Sequence, residues 1–322
     1  MLSEFDLIQH YFTRAPRPGS RAALGVGDDC ALLAPTPGMQ LAISSDMLVE
    51  GRHFLPQADP CKLAHKCLAV NLSDLAAMGA RPLAFTLAFS LPEANPEWLA
   101  PFSTGLFALA DLHGCELIGG DTTKGPRNIC ITVFGELPPG QALRRDAAQP
   151  GDDIWVSGSL GDARLALAGY RHERSLPPAD FARACERMHT PTPRVALGLA
   201  LRGVAHAAID VSDGLAGDLG HILARSEVGA LLNVDSLPAG PMLLRQAAAL
   251  QREYCLMGGD DYELCFTAPA GRRESVLAAG LASDTPVTRI GSIGSTPGLR
   301  LIDAAGTPLS LPLSSFDHFR SP

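Results

Sequence analysis

The sequence predicts an α+β chain built of two domains, and three features carry that reading. Short apolar strand runs alternate with helical stretches through both halves. A segment rich in Pro and Gly, residues 138–152, interrupts the alternation and reads as a linker between a first domain over 1–137 and a second over 153–322. The strand runs are of mixed length, which favours a layered α+β design over a doubly wound parallel sheet.

In the first half, strands are predicted at 40–45, 83–91, 116–118 and 129–137. The two helices between them are well punctuated. One opens at Asp59 and Pro60 and stops before Gly79; the other opens at Asn95 and Pro96 and stops before Gly114. An Asp or Asn cap accepts an otherwise unpaired first-turn amide. Proline suits the first helical position, where no N–H is needed, and glycine tolerates the left-handed residue that closes a helix. In the second half, strands are predicted at 154–157, 207–211, 231–234, 262–267 and 287–293. Helices are predicted at 162–168, 179–189, 194–201, 215–226, 242–251 and 272–281.

Composition narrows the function. With 46% apolar and 19% charged residues, the 322-residue chain can bury a sizeable core. A net charge of −8 argues against duplex nucleic acid as the main partner, because no basic surplus exists to neutralise a phosphate backbone. No apolar run reaches the ~20 residues of a membrane span. The opening MLSEFDLIQHYF lacks the basic start and long apolar stretch of a signal peptide. Eight cysteines without CxxC or zinc spacing read as reduced, mostly buried thiols of a cytoplasmic protein. Lysine occurs at Lys62, Lys66 and Lys124 alone. Polyphosphate binding would therefore fall to arginine, backbone amides and metal ions.

The informative feature is where aspartates stand. They follow apolar strand runs at glycine turns: GVGDDCALL (Asp28, Asp29), LAISSDMLVEG (Asp46), LIGGDTT (Asp121), AIDVSDG (Asp210, Asp213) and MGGDDYELCF (Asp260, Asp261). A lone case is ordinarily a turn residue or helix cap. Five in one chain point to a shared site. Carboxylates packed together without a counter-charge raise one another's pKa and destabilise the fold, so a hard cation belongs among them. Carboxylate, hydroxyl and carbonyl oxygens suit Mg²⁺ best. Asp74 adds a sixth, inside the apolar helix CKLAHKCLAVNLSDLAAMG, with Asn71 on the same face three residues before it. A buried ionised Asp needs a partner. The choice is a cation such as Lys66 or His65, two turns or more away, or a metal, and the distance favours the metal. Ser44 and Ser45 are simple strand residues or, beside Asp46, further oxygen donors.

The pattern GxxxxGK[ST] is absent, as are GxGxxG at a strand–helix turn and the HRD and DFG elements of protein kinases. Chemistry alone leaves two readings: phosphoryl transfer using several Mg²⁺ ions, or metal-assisted phosphoester hydrolysis.

The segments GVGDDCALL, LAISSDMLVEGRHF, LAVNLSDLAAMGARP, LIGGDTTKGP, AIDVSDGLAGDLGHI, GGDDYELCF and the closing FDHF resemble the thiamine-monophosphate kinase family, in family order and over nearly the whole chain. That family groups with aminoimidazole ribonucleotide synthetase and selenophosphate synthetase. The resemblance implies a two-domain aminoimidazole ribonucleotide synthetase-like fold: an N-terminal α/β domain whose sheet forms a homodimer, and a C-terminal α+β domain completing the active site. It also implies ATP and thiamine monophosphate as substrates, with several Mg²⁺ ions. By resemblance Asp29, Ser44, Ser45, Asp46, Asp74, Asp121, Asp210 and Asp213 match magnesium positions, with Asp46, Asp121 and Asp210 central to catalysis. Gly120, Asp121, Arg145 and Ser212 match ATP-contacting positions, and His53, Asp260 and Phe316 match positions touching thiamine. One departure stands out: the family commonly has Glu where this chain has Asp260, which keeps the charge and shortens the reach by a methylene. The acceptor is already an ionised phosphate, so the implied reaction is direct in-line transfer without a general base and without a phosphoenzyme on His53 or His221. A superfamily synthetase, a metal phosphatase and a non-catalytic nucleotide sensor are the competing readings. Residues 1–24 lack the reactive Cys and Lys of selenophosphate synthetases.

Overall fold

The computed structural model describes residues 3–313. They fall into two compact units: one runs to Gly140 without Ala76–Gly79, and the other holds Ala76–Gly79 and the chain from Gln141 onward. In the N-terminal unit a short helix α1 (Glu4–Leu7) is capped by Ser3 and runs into a π turn, Ile8–Phe12. Strands β1 (Ala22–Leu24) and β2 (Leu32–Leu33) form a two-stranded ribbon. There follow β3 (Gln40–Val49), α2 (Pro60–Ala77), β4 (Arg81–Leu91), α3 (Pro96–His113), β5 (Glu116–Lys124) and β6 (Asn128–Leu137).

The punctuated helices form for the reasons the sequence gives. Asp59 Oδ1 accepts the Lys62 amide at 2.9 Å, and Gly79 closes the turn at φ +67°. Asn95 Oδ1 accepts the Glu97 amide, and Gly114 closes α3 at φ +63°. Helix α2 is apolar almost all round and is buried accordingly, from Leu63 through Leu68 and Leu72 to Leu75.

The four strands β3 to β6 make one sheet in the order β3–β6–β4–β5. Its parallel pair, β4 and β5, is joined through α3; the other pairings are antiparallel. Two strands run well beyond their predicted ends. β3 continues past Ser45 to Val49 because β6 offers a partner for each residue down to Asn128. β5 runs from Glu116 to Lys124 because β4 pairs with it as far as Leu91. The glycines of LIGGDTT therefore lie inside a strand, and Asp46 and Asp121 sit within strands rather than in turns beyond them.

The C-terminal unit contains β7 (Asp152–Ser157), α4 (Asp162–Tyr170), α5 (Pro178–His189), α6 (Val195–Ala200), β8 (Ala207–Asp210), α7 (Leu215–Ser226), β9 (Gly229–Asn233), α8 (Ala248–Met257), β10 (Leu264–Pro269), α9 (Arg273–Ala282), β11 (Val287–Gly294), β12 (Gly298–Ile302) and β13 (Pro308–Leu309). The strands form a sheet in the order β13–β12–β9–β11–β7–β10–β8. Every residue of β7, well inside the sheet, is buried. A core of Ile154, Val156, Leu165, Leu219, Ile222 and Leu243, among others, packs within this unit.

The helix predicted at 242–251 forms later, at α8, after a 3-10 turn, Leu243–Arg245. The buried Asp162 carboxylate accepts the amides of Met242 (3.3 Å) and Leu243 (2.8 Å), which holds the chain in a turn before a helix can start. Strand β10 begins at Leu264 rather than 262 because Tyr262 lies at φ +52°, outside strand geometry. The sequence predicts no strand at β1, β2, β12 or β13.

Asp153 of β7 is buried between Arg273 (2.5 and 2.9 Å) and Arg289 (2.6 Å). The Arg273 hydrogen bonds, and then those of Arg289, hold its carboxyl below the ordinary range against burial, which acts the other way. A depressed folded-state pKa stabilises above the unfolded value of about 3.9 and is lost as pH falls through the folded one. Asp153→Asn should therefore be less stable than wild type at neutral pH and show a shallower acid limb. Urea unfolding at neutral and acid pH measures both; parallel stability–pH curves would remove Asp153 from acid denaturation.

Candidate active site

In the N-terminal unit the alternation of β3 splits the run Ser44, Ser45, Asp46. Ser44 Oγ donates to Asp74 Oδ2 at 2.5 Å. The Asp46 amide donates to Asn71 Oδ1 at 3.0 Å, and the fully buried Asn71 in turn donates from Nδ2 to the Cys67 carbonyl at 2.9 Å. Helical spacing puts Asn71 and Asp74 on one side of α2, and that side meets the edge strand β3, whose outward amide needs an acceptor. Ser45 points to the other face, where its hydroxyl lies 2.9 Å from Thr132 Oγ1 and donates to the Ile131 carbonyl.

Register places Asp121 as well. Met47 pairs with Cys130, Cys130 with Ala88, and Ala88 with Asp121, so Asp121 shares the face of Ser45 and Met47. The row through Asp46 is Ile131, Leu87 and Gly120. Three strand spacings of about 4.8 Å separate its ends, roughly 14 Å. Within this sheet the carboxylates thus form two places, Ser44–Asp46–Asp74 and Asp121, rather than one. Gly120 is required at its position: a Cβ there would lie 1.8 Å from the Leu87 carbonyl oxygen. The exposed Asp29 lies between β1 and β2, and its amide donates to Asp28 Oδ1. His53 follows β3 in a turn, with Nδ1 accepting the Val49 amide at 3.0 Å, so this nitrogen carries no proton.

The C-terminal unit presents a second group. Asp210 ends β8, buried, paired with Leu264. The chain then turns through residues 211–214 into α7. Asp218 of α7 is 3% exposed, and its Oδ2 accepts the amides of Ser212 (3.0 Å), Asp213 (3.1 Å) and Gly214 (3.1 Å). Burial first, and the neighbouring Asp213 second, push its carboxyl up to about 7 against those three hydrogen bonds.

The 258–263 segment is laced to this turn. Asp260 donates its amide to the Ser212 carbonyl at 2.8 Å, Tyr262 to that of Val211 at 2.9 Å, and Val211 to that of Glu263 at 2.7 Å. Asp260 lies at φ +72°, and its Oδ1 accepts the Tyr262 hydroxyl at 3.1 Å. Gly259 permits the contact, since a Cβ there would lie 2.3 Å from the Ser212 carbonyl oxygen.

The rest of GGDDYE is an anchor. Asp261 is buried against the Gly161 amide, and burial pushes its carboxyl well above the usual range. Glu263 is fully buried and accepts from Ser157 Oγ (2.6 Å), Arg187 (2.9 Å) and Arg194 (2.6 Å twice). Arg145 is exposed in the segment before β7, and Phe316 lies outside the described residues.

Sequence reasoning did not single out Asp218, Asp162 or Glu263. The signal for Asp218 was available: an aspartate within the apolar helix LAGDLGHIL, the same argument that selected Asp74. Among the described residues no three His, Cys, Asp or Glu side chains gather into a metal cage. The donors around Asp46 are nonetheless all oxygens. That suits Mg²⁺, which takes one or two protein carboxylates and completes its shell with water and phosphate oxygens.

Residues 27–137 match the family model of AIR synthase related proteins, N-terminal domain, and residues 149–304 match that of their C-terminal domain. Fold and site thus define an AIR synthase related protein with the two-domain architecture implied by the motifs. The chain is 45% identical over 322 residues to the thiamine-monophosphate kinase of Salmonella typhimurium, covering 99% of each. It is 49% identical to the solved thiamine-monophosphate kinase of Stenotrophomonas maltophilia K279a, with a TM-score of 0.84 over 90% of this chain and 92% of that one. The structure of AaThiL complexed with AMPPCP and TMP is 27% identical, with a TM-score of 0.78 over 98% and 97% of the two chains. The chain belongs to the thiamine-monophosphate kinase family.

Proposed function

We infer that this chain transfers the γ-phosphate of ATP to thiamine monophosphate, forming thiamine diphosphate and ADP. The observation that carries the reading is the 45% identity to a thiamine-monophosphate kinase along the whole length of both chains. The AaThiL structure, which holds AMPPCP and TMP, supports the same pair of substrates.

The residues proposed for each role are those of the motifs. Ser44, Ser45, Asp46, Asp74, Asp121 and Asp29 in one unit, and Asp210 and Asp213 in the other, would hold Mg²⁺. The roughly 14 Å between the Asp46 and Gly120 strands supports several ions rather than one. Bound Mg²⁺ supplies neutralisation of phosphate charge. Gly120, Asp121, Arg145 and Ser212 would contact ATP, while His53, Asp260 and Phe316 would contact the thiamine group. The carboxylate of Asp260, steadied by Tyr262, suits the positive ring of thiamine.

The acceptor needs no base. A phosphate monoester has a second pKa of about 6 and is largely a dianion at neutral pH. The obstacle is repulsion, about 1 kcal/mol for two unit charges 4 Å apart in water and several times more in a partly dry site. The chain's contribution is to hold both substrates in line.

Incubation with ATP, Mg²⁺ and thiamine monophosphate, with products separated by chromatography, tests the reading. Thiamine diphosphate is the expected product. Release of inorganic phosphate alone would make the protein a phosphatase, and nucleotide binding without turnover would make it a sensor.

Two further properties belong to this proposal. No helix among the described residues is long and apolar enough to cross a membrane, and a cytoplasmic location is proposed. Leu41, Ile43, Met47 and Val49 expose an apolar face on the edge strand β3, between 36% and 60% exposed. A second copy of the chain is proposed to cover that face; a monomer mass by analytical ultracentrifugation would exclude it.

A further inference from the structure

We propose that Asp218 is a positioning residue for the reaction, fixing in one piece the turn that carries Ser212 and Asp213 and the segment that carries Asp260. The inference rests on the roles proposed above for those three residues. Three consecutive amides, those of Ser212, Asp213 and Gly214, converge on a single oxygen of Asp218 at 3.0–3.1 Å. Successive amides curled around one point form an anion-binding nest. Here the place is taken by Oδ2 of the protein's own buried Asp218, so the nest holds the turn and does not receive a phosphate.

Both peptide groups of Ser212 are engaged. Its amide donates to Asp218, and its carbonyl accepts the Asp260 amide at 2.8 Å. Its amide is thereby unavailable to a nucleotide, which leaves Ser212 its hydroxyl and the second lone pair of its carbonyl. The same carbonyl ties Asp260 to the turn, with Asp260 at φ +72° and Tyr262 at φ +52°. Such left-handed conformations are held by their surroundings, and here the surroundings are the turn that Asp218 braces. A shift of 212–214 would move Asp213 and Asp260 together. A purely structural Asp218 would affect folding alone; a positioning Asp218 couples the nucleotide side of the reaction to the acceptor side.

The test compares Asp218→Ala, Asp218→Glu and Asp218→Asn as full-length proteins, each well below its own melting temperature. Asp218→Ala removes the acceptor, Asp218→Glu keeps the charge but displaces the turn, and Asp218→Asn keeps a carbonyl oxygen for the amides. Calorimetric titration with Mg²⁺–AMPPCP should show Kd raised by about tenfold or more in the Ala and Glu variants and largely restored in the Asn variant. KM for thiamine monophosphate should rise in the same two variants. If Asp218→Ala does not fold, Asp218→Glu carries the comparison. Wild-type Kd and KM in folded Ala or Glu variants would overturn the inference. A wild-type protein that binds Mg²⁺–AMPPCP but forms no thiamine diphosphate would instead overturn the kinase reading, leaving the nucleotide titration to judge Asp218.

Discussion

Asp46→Asn is expected to lower kcat by on the order of 10²-fold or more while leaving the melting temperature close to that of wild type. The two halves of that expectation have separate causes. The Asp46 side chain is only half-buried, on an edge strand, and the backbone tie to this place is the Asp46 amide bonded to Asn71. The substitution keeps that amide, the volume and the strand register. What it removes is one negative charge where phosphate groups and their counter-ions are proposed to meet, and a loss of 10² is about 2.7 kcal/mol of barrier. Steady-state kinetics with both substrates saturating, together with a thermal melt, decide the matter. Near-wild-type turnover would take Asp46 out of the machinery. A large fall in melting temperature would make it a structural residue.

Glu263→Ala should have the opposite character, a loss of stability in the C-terminal unit. Glu263 is fully buried, and its two oxygens satisfy Arg187, Arg194 and Ser157. Removing the acid leaves two guanidinium groups facing each other without a counter-charge. Breaking a buried ion pair in this way costs about 3–5 kcal/mol. At roughly 2–4 °C per kcal/mol for a unit of this size, the melting temperature should fall by roughly 10 °C. Glu263→Gln keeps the shape and one acceptor oxygen and should lie between the two. A change below about 1 kcal/mol in urea unfolding for the Ala variant would mean that solvent already screens these charges.

Glu263 and Asp260 stand three residues apart in one motif, and the difference between them shows how much of the site was legible. The motif GGDDYE marks the place. It does not say that Asp260 stays half-buried in a turn while Asp261 and Glu263 are drawn fully into the interior. That division follows from the left-handed residues 260 and 262 and from arginines on α5 and just before α6, far away in sequence. The sequence reads Asp74 as a buried carboxylate needing a partner; the helix around it is buried, but Asp74 itself is only half-buried. Ser44, which supplies a hydroxyl to it, was legible only as one of two neighbouring serines. Asp218 was legible as an aspartate within an apolar helix, but its partners were not, because they are backbone amides that the side-chain sequence does not mark.

By itself the sequence determined the features whose causes are local. Caps at Asp59 and Asn95, closing glycines at 79 and 114, the period-two burial of Ile129, Ile131 and Val133, and the family motifs depend on neighbours within a few residues. Tertiary structure decided where β3 and β5 end, which face of the sheet each aspartate occupies, and which carboxylates are buried. Those outcomes depend on hydrogen-bonding partners dozens of residues distant. A glycine pair reads as a turn in isolation, but it becomes strand when a neighbouring strand offers a ladder to complete.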